Sequence, residues 1–185
     1  FSLQVPSSQR ILKLDLEPKL VEHCAKKLSK LANQYRLEDS KTIFINHLST
    51  TSKRDWRLDQ VEGLALLIQK AFPGSLIILN APPHAYDDLC HWLKNNHMLN
   101  SLAIEVFTTK ENFFELPALM SQCDIIISVE TAIMHLASSL NLNQIALIRA
   151  SAYRWRPQNN AKLILGKKRV DSIPPETVLK SIQAL

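Results

Sequence analysis

The chain has 185 residues, 46% hydrophobic and 21% charged, the balance of a globular domain with a core of ordinary size. Its formal charge is +5, and no apolar run approaches the roughly 20 residues needed to cross a bilayer. With only three glycines and three scattered cysteines, it can spell neither the G-x-G-x-x-G dinucleotide fingerprint nor a lysine-bearing P-loop, and it offers neither a disulfide framework nor a zinc knuckle.

The chain opens at Phe1 with no cationic segment leading into an apolar stretch, so no secretory signal is visible and the start reads as a cut. Cys24, Cys90 and Cys123 have no near partner in sequence, which fits a reducing cytoplasm. The first predicted element is a helix from Pro18 to about Tyr35, with Leu20, Val21, Cys24, Leu28 and Leu31 on one face. A β-rich run follows at Thr42–Asn46, then a helix from Asp59 to Ala71 that Pro73-Gly74 ends. Further runs at Ser75–Asn80, Leu102–Phe107, Asp124–Ser128 and Gln144–Ile148 alternate with helical stretches. One of these, Glu111–Cys123, carries Phe114, Leu116, Leu119 and Met120 as an expected core face. After Ile148 come a polar, arginine-rich loop at Ala150–Asn160, a short strand near Leu163–Leu165 and a last helix after Pro174-Pro175.

Continuous apolar runs such as Leu76-Ile77-Ile78-Leu79 and Ile125-Ile126-Ile127 suit strands covered on both faces. The expected fold is therefore α/β, a Rossmann-like doubly wound parallel sheet in a single domain: a leading segment and helix over 1–40, a sheet core over 41–165 and a C-terminal helix over 166–185. Such sheets bind ligands at the carboxyl ends of their strands, so the loops His47–Trp56, Asn80–His84, Ser128–His135 and Arg149–Pro157 are expected to converge.

Between Glu130 and Asp171 there is no acidic residue, while Arg149, Arg154, Arg156, Lys162, Lys167, Lys168 and Arg169 all fall there. Either an anionic partner or a solvated basic face accounts for that. Tyr153 and Trp155 among the arginines raise nucleic-acid binding as a lower-ranked reading. The strongest local signal is the strand, turn and helix from Asp124 onwards. A helix starting near Thr131 offers free N–H groups and a positive dipole end to a phosphate, and Thr131 and His135 project from one of its faces. The plain alternatives are a capping Thr and a structural His, and Glu130 serves equally as a ribose acceptor, a cap or an arginine partner. His84 and His91 would be separated by about 10.5 Å of helical rise, too far for one metal to bridge. Asp87-Asp88 reads as an exposed helix start.

The run Ser128-Val129-Glu130-Thr131-Ala132-Ile133-Met134-His135-Leu136-Ala137-Ser138-Ser139-Leu140 resembles the Asp-Thr/Ser-Gly-x-x-His-Leu-Ala-Ala-Ala-Leu signature of glycosyltransferase family 9, the ADP-heptose:lipopolysaccharide heptosyltransferases. His47-Leu-Ser-Thr-Thr-Ser-Lys53-Arg54-Asp55-Trp56 is similar to a family loop with a basic residue two positions before a tryptophan. Phe113 to Asp124 is similar to the helix entering the signature strand, and Trp155-Arg156-Pro157 to a closing W-x-P.

The resemblance implies the C-terminal half of a GT-B type glycosyltransferase, with the acceptor-binding first domain absent and this chain inactive alone. It makes Thr131 and His135 diphosphate contacts, Arg54 the catalytic leaving-group cation and Glu130 the acidic position, with Ser49, Thr50, Lys53, Asn80 and Ala132 as further substrate-binding positions. Loss of one such donor typically costs about 3 kcal/mol of barrier. It implies an ADP-heptose-like donor and an anionic glycolipid acceptor of the lipid A-core kind beside Arg149, Arg154 and Arg156. No metal or other cofactor and no nucleic acid is implied, and the setting is cytoplasmic, at the inner face of the inner membrane. Departures from the pattern are Glu130 for Asp, Ala132 for a glycine where a methyl would crowd the diphosphate, Asn141 and Asn143-Gln144 for glycine and proline, and Ile148-Arg149-Ala150-Ser151 for Phe-Gly-Pro-Thr. No carboxylate follows the second strand before Asp87. These changes motivate the alternative of a nucleotide-binding relative without turnover.

Overall fold

The structure is a computed structural model that describes residues 14–38, 41–157 and 161–185. Strands β1 (Thr42–Asn46), β2 (Leu76–Asn80), β3 (Ile104–Phe107), β4 (Ile125–Val129), β5 (Gln144–Arg149) and β6 (Lys162–Gly166) alternate with helices α1 (Pro18–Gln34), α2 (Leu58–Ala71), α3 (Tyr86–Asn95), α4 (Glu115–Met120), α5 (Ala132–Ser139) and α6 (Pro175–Ile182). Among the described residues the strands form one parallel sheet in the order β3-β2-β1-β4-β5-β6. This is the Rossmann-like α/β fold that the apolar runs predict.

The period-2 alternation of strand side chains divides the core. Ile43, Ile45, Ile77, Leu79, Ile125 and Ile127 point to one face and pack with Val61 and Leu64 of α2, Leu89 of α3 and Val178 of α6. Phe44, Leu76, Ile78 and Ile126 point to the other and meet Cys24 and Leu28 of α1 with Leu119 and Met120 of α4. Both faces are therefore dry, and each fully buried aliphatic side chain contributes about 1.5–3 kcal/mol. No helix is long and apolar enough to cross a membrane among the described residues.

The helix expected over Glu111–Cys123 is shorter, spanning Glu115–Met120. Pro117 explains the late start: it has no N–H and is tolerated only in a helix's first turn. The residues before it make a turn in which the Asn112 carboxamide oxygen accepts the Phe114 N–H at 3.0 Å. Phe114 accordingly leaves the core and is 54% exposed, edge-on to Phe113. The stretch after β5, expected as an irregular loop, is a 3-10 helix over Ala150–Trp155, while residues 158–160 lie outside the described residues. Asn141, where the family pattern has glycine, sits at φ 54° just past α5, and the Leu142 N–H closes on the Ala137 carbonyl at 3.0 Å. Asparagine is the non-glycine residue that tolerates this left-handed cap best, so the exchange keeps the turn.

Gly166, paired with Arg149 at the end of β6, has no room for a side chain: a Cβ there would lie 2.5 Å from the Arg169 carbonyl oxygen. Gly166→Ala is expected to destabilise the fold by about 2 kcal/mol. That is a fall of roughly 5 °C in Tm by differential scanning calorimetry, and an unchanged Tm would refute the crowding.

Candidate functional site

The strand order reverses between β1 and β4, and polar side chains appear there as soon as the strands leave the core. Asn46 of β1 is in register with Ser128 of β4. Its Nδ2 donates to Ser128 Oγ and to Thr131 Oγ1, both at 3.2 Å, while its Oδ1 accepts the Asn80 Nδ2 hydrogen bond at 2.9 Å. The carboxamide of Asn46 thus ties β2, β1 and β4 together and holds the Thr131 hydroxyl in place. Thr131 is the extended N-cap of α5, its Oγ1 also accepting the Ile133 N–H at 3.2 Å. The other N–H groups of the first turn, which have no partner within the helix, begin at this point.

The loop after β1 is fastened at several places. Trp56 is 1% exposed, its N–H donates to the His47 carbonyl at 2.9 Å and its Nε1 donates to the Ile173 carbonyl at 2.9 Å. Arg169 Nη2 donates to the Ser52 carbonyl at 2.8 Å, and the Val170 N–H to the Lys53 carbonyl at 3.1 Å. The Ser49 N–H donates to Asp55 Oδ1 at 2.7 Å. These anchors leave Arg54, at the end of a tight turn, directed at Glu130 with its Nε 3.6 Å from Oε1. Arg54 Nε is buried and makes no hydrogen bond.

Glu130 is 7% exposed, and its principal partner is Arg149 at the end of β5. Arg149 Nε donates to Oε2 at 3.0 Å and Nη2 to Oε1 at 2.8 Å, a bidentate grip. Burial pushes the Glu130 carboxyl up, but the Arg149 hydrogen bonds and charge, with Arg54 behind them, outweigh it and hold the group below its ordinary value. Of the readings open to Glu130 from sequence, the arginine partner is present in the structure.

A cavity of about 480 Å³ opens beside this group, lined by Arg54, Glu130, Thr131, Ala132, Met134, His135, Arg149, Ser151, Ala152 and Trp155. Three of the four expected loops converge on it. The loop after β2 does not: Asn80 is buried against Asn46, one strand away from the switch. Ser49, Thr50 and Lys53 do not line the cavity either; Ser49 braces its own loop, and Thr50 and Lys53 are exposed. The Ala132 methyl is in the lining, where the family pattern would leave space. Arg149 is turned into the wall, whereas Arg154 and Arg156 are exposed, Arg156 lying 4.3 Å over the Tyr153 ring. Trp155, 71% exposed, forms one wall. Asn46, the organiser, escapes sequence reasoning because it looks like the end of an apolar run; a lone amide at that end was its only signal. Among the described residues no group of three His, Cys, Asp or Glu side chains is close enough to hold a metal ion.

His47, 2% exposed beneath the loop, has Nδ1 3.1 Å from the Trp56 carbonyl and a buried Nε2 without a partner. Burial pushes its pKa below the ordinary 6.5, so the folded ring is neutral with the proton on Nδ1. A depressed folded pKa contributes stability that is present above the unfolded value and lost as pH falls from it towards the folded one. Stability is expected to drop as pH falls below about 6.5, and His47→Gln, which keeps a donor for Trp56, to flatten that part of the urea-midpoint profile against pH. An identical profile in the variant would exclude His47 as the source.

The model of glycosyltransferase family 9 (heptosyltransferase) matches residues 6–176. Among solved structures, the chain is similar to a family 9 glycosyl transferase from Veillonella parvula, with TM-score 0.75, 16% identity and coverage of 93% of this chain and 52% of that one. It is similar to E. coli ADP-heptose lipopolysaccharide heptosyltransferase II, with TM-score 0.70, 17% identity and coverage of 93% and 52%. An E. coli heptosyltransferase with ADP gives TM-score 0.65 at 16% identity, covering 83% of this chain and 48% of that one. These likenesses are of fold, and the chain spans about half the length of the structures it matches. No curated protein matches it.

Proposed function

The chain belongs to glycosyltransferase family 9, and from that premise we propose that it is the nucleotide-sugar-binding half of a transferase whose donor is an ADP-heptose-like sugar. One observation carries the reading: the capped start of α5, with Thr131 and His135, and the anchored Arg54 all face one cavity at the switch point of the sheet. Helix N–H groups, a hydroxyl, an imidazole and a guanidinium suit a diphosphate in shape and charge.

In transfer, charge grows on the departing diphosphate as the bond to the sugar breaks. Fixed donors at Thr131, His135 and Arg54 meet that charge without reorganising, so the barrier falls without a divalent metal. The acceptor, an anionic glycolipid of the lipopolysaccharide-core type, lies by this reading beside exposed Arg154 and Arg156, in the cytoplasm at the inner face of the membrane. A first domain outside this chain supplies the acceptor site and the base that deprotonates the attacking hydroxyl, so the chain alone binds donor without transferring it.

Calorimetric titration with ADP, ADP-heptose, UDP and GDP tests the donor. Selective binding of the adenine ligands is expected, and selectivity for another base would redirect the assignment. His135→Ala is expected to weaken ADP binding about tenfold, a charge-assisted hydrogen bond being worth about 1.5–3 kcal/mol. Equal affinity in wild type and variant would remove His135 from the site. A donor that binds tightly to the parent protein and is never transferred would favour the relative without turnover.

A further inference from the structure

Two guanidiniums and one carboxylate meet at the mouth of the cavity, and the carboxylate is unequally shared. Arg149 takes both oxygens of Glu130 at 2.8 and 3.0 Å, while Arg54 stands at 3.6 Å without a hydrogen bond. Among the described residues, Arg54 donates no side-chain hydrogen bond, although its Nε is shielded from solvent. The side chain is otherwise 35% exposed, so this one donor is cut off from water, and an acceptor on a ligand would complete it.

We infer that Arg149 is a positioning residue: by taking both oxygens of Glu130 in hydrogen bonds it holds Arg54 to a loose ion pair at 3.6 Å, leaves its donors available to the ligand's diphosphate and gives the group a net positive charge. Without Arg149, the Glu130 carboxylate has one cation in reach, and Arg54 closes the remaining gap onto it. The guanidinium then hydrogen-bonds the carboxylate instead of the ligand, and the group becomes neutral. Arg149 therefore acts through Glu130 on Arg54. This rests on reading the cavity as a diphosphate site.

The test is a set of calorimetric titrations of this chain with ADP and with inorganic pyrophosphate. Arg149→Met is expected to weaken both about tenfold, and adding Glu130→Gln is expected to bring affinity back to within about threefold of wild type. In an Arg54→Ala background, Arg149→Met should change little, because the residue it frees is gone. A merely structural role for Arg149 predicts no such rescue. If wild type binds both probes but Arg149→Met costs the same factor in all backgrounds, the inference is overturned while the diphosphate reading stands. If wild type binds neither probe, both fall together. Should Arg149→Met fail to give a cooperative melt, Glu130→Gln alone decides: it is expected to bind pyrophosphate at least as tightly as wild type, and a tenfold loss would overturn the inference.

Discussion

In a parallel sheet that is dry on both faces, polar side chains sit at least cost near the strand ends, and this constraint organises the whole site. The interiors of β1, β2 and β4 are apolar until Asn46, Asn80 and Ser128 appear together at or next to their last residues. Unpaired, these groups would each cost on the order of 1–3 kcal/mol once buried. Linked as they are, they satisfy one another and pass their order to Thr131, the cap of the helix that opens the cavity. Hydrophobic burial thus aligns the strands, and the amide network converts that alignment into a fixed position for a hydroxyl.

The electrostatics follow the same economy. Glu130 is nearly buried yet ionised, because Arg149 supplies two directed hydrogen bonds in return for the water it has lost. The length of the Glu130 side chain matters to that pairing, since it carries the carboxylate to the end of β5, where Arg149 grips both oxygens. Ala132 departs from the family pattern, and its methyl lies in the cavity lining with nothing in the structure to compensate for it.

Strand runs and most helices are legible in the sequence because local hydrophobic period and length decide them. The strand limits at Leu76, Ile104 and Val129 depart from the expected ones by no more than two residues. The helix before β4 is misread because Phe114 matches the apolar period while Pro117 overrules it. At the site, the helix start at Thr131 and the cavity-facing His135 follow from the turn between strand and helix. Asn80, Ser49, Thr50 and Lys53 were reachable only as members of loops, and loop membership does not say which side chains face inward. The grip of Arg149 on Glu130 joins residues from different strand ends, and nothing local in the sequence encodes it.

The anchors of the Arg54 loop come from the far end of the chain. Ser52 is held by Arg169 and Trp56 by Ile173, each pair separated by 117 positions. Contacts so distant close late, since the entropy of the intervening loop must be overcome before they form. During synthesis, β1 and β2 leave the ribosome well before the segment after β6 exists. The chain can therefore lay down most of its sheet while the Arg54 loop still lacks these anchors. A nascent chain stalled short of Arg169 would carry all six strands with neither Ser52 nor Trp56 held.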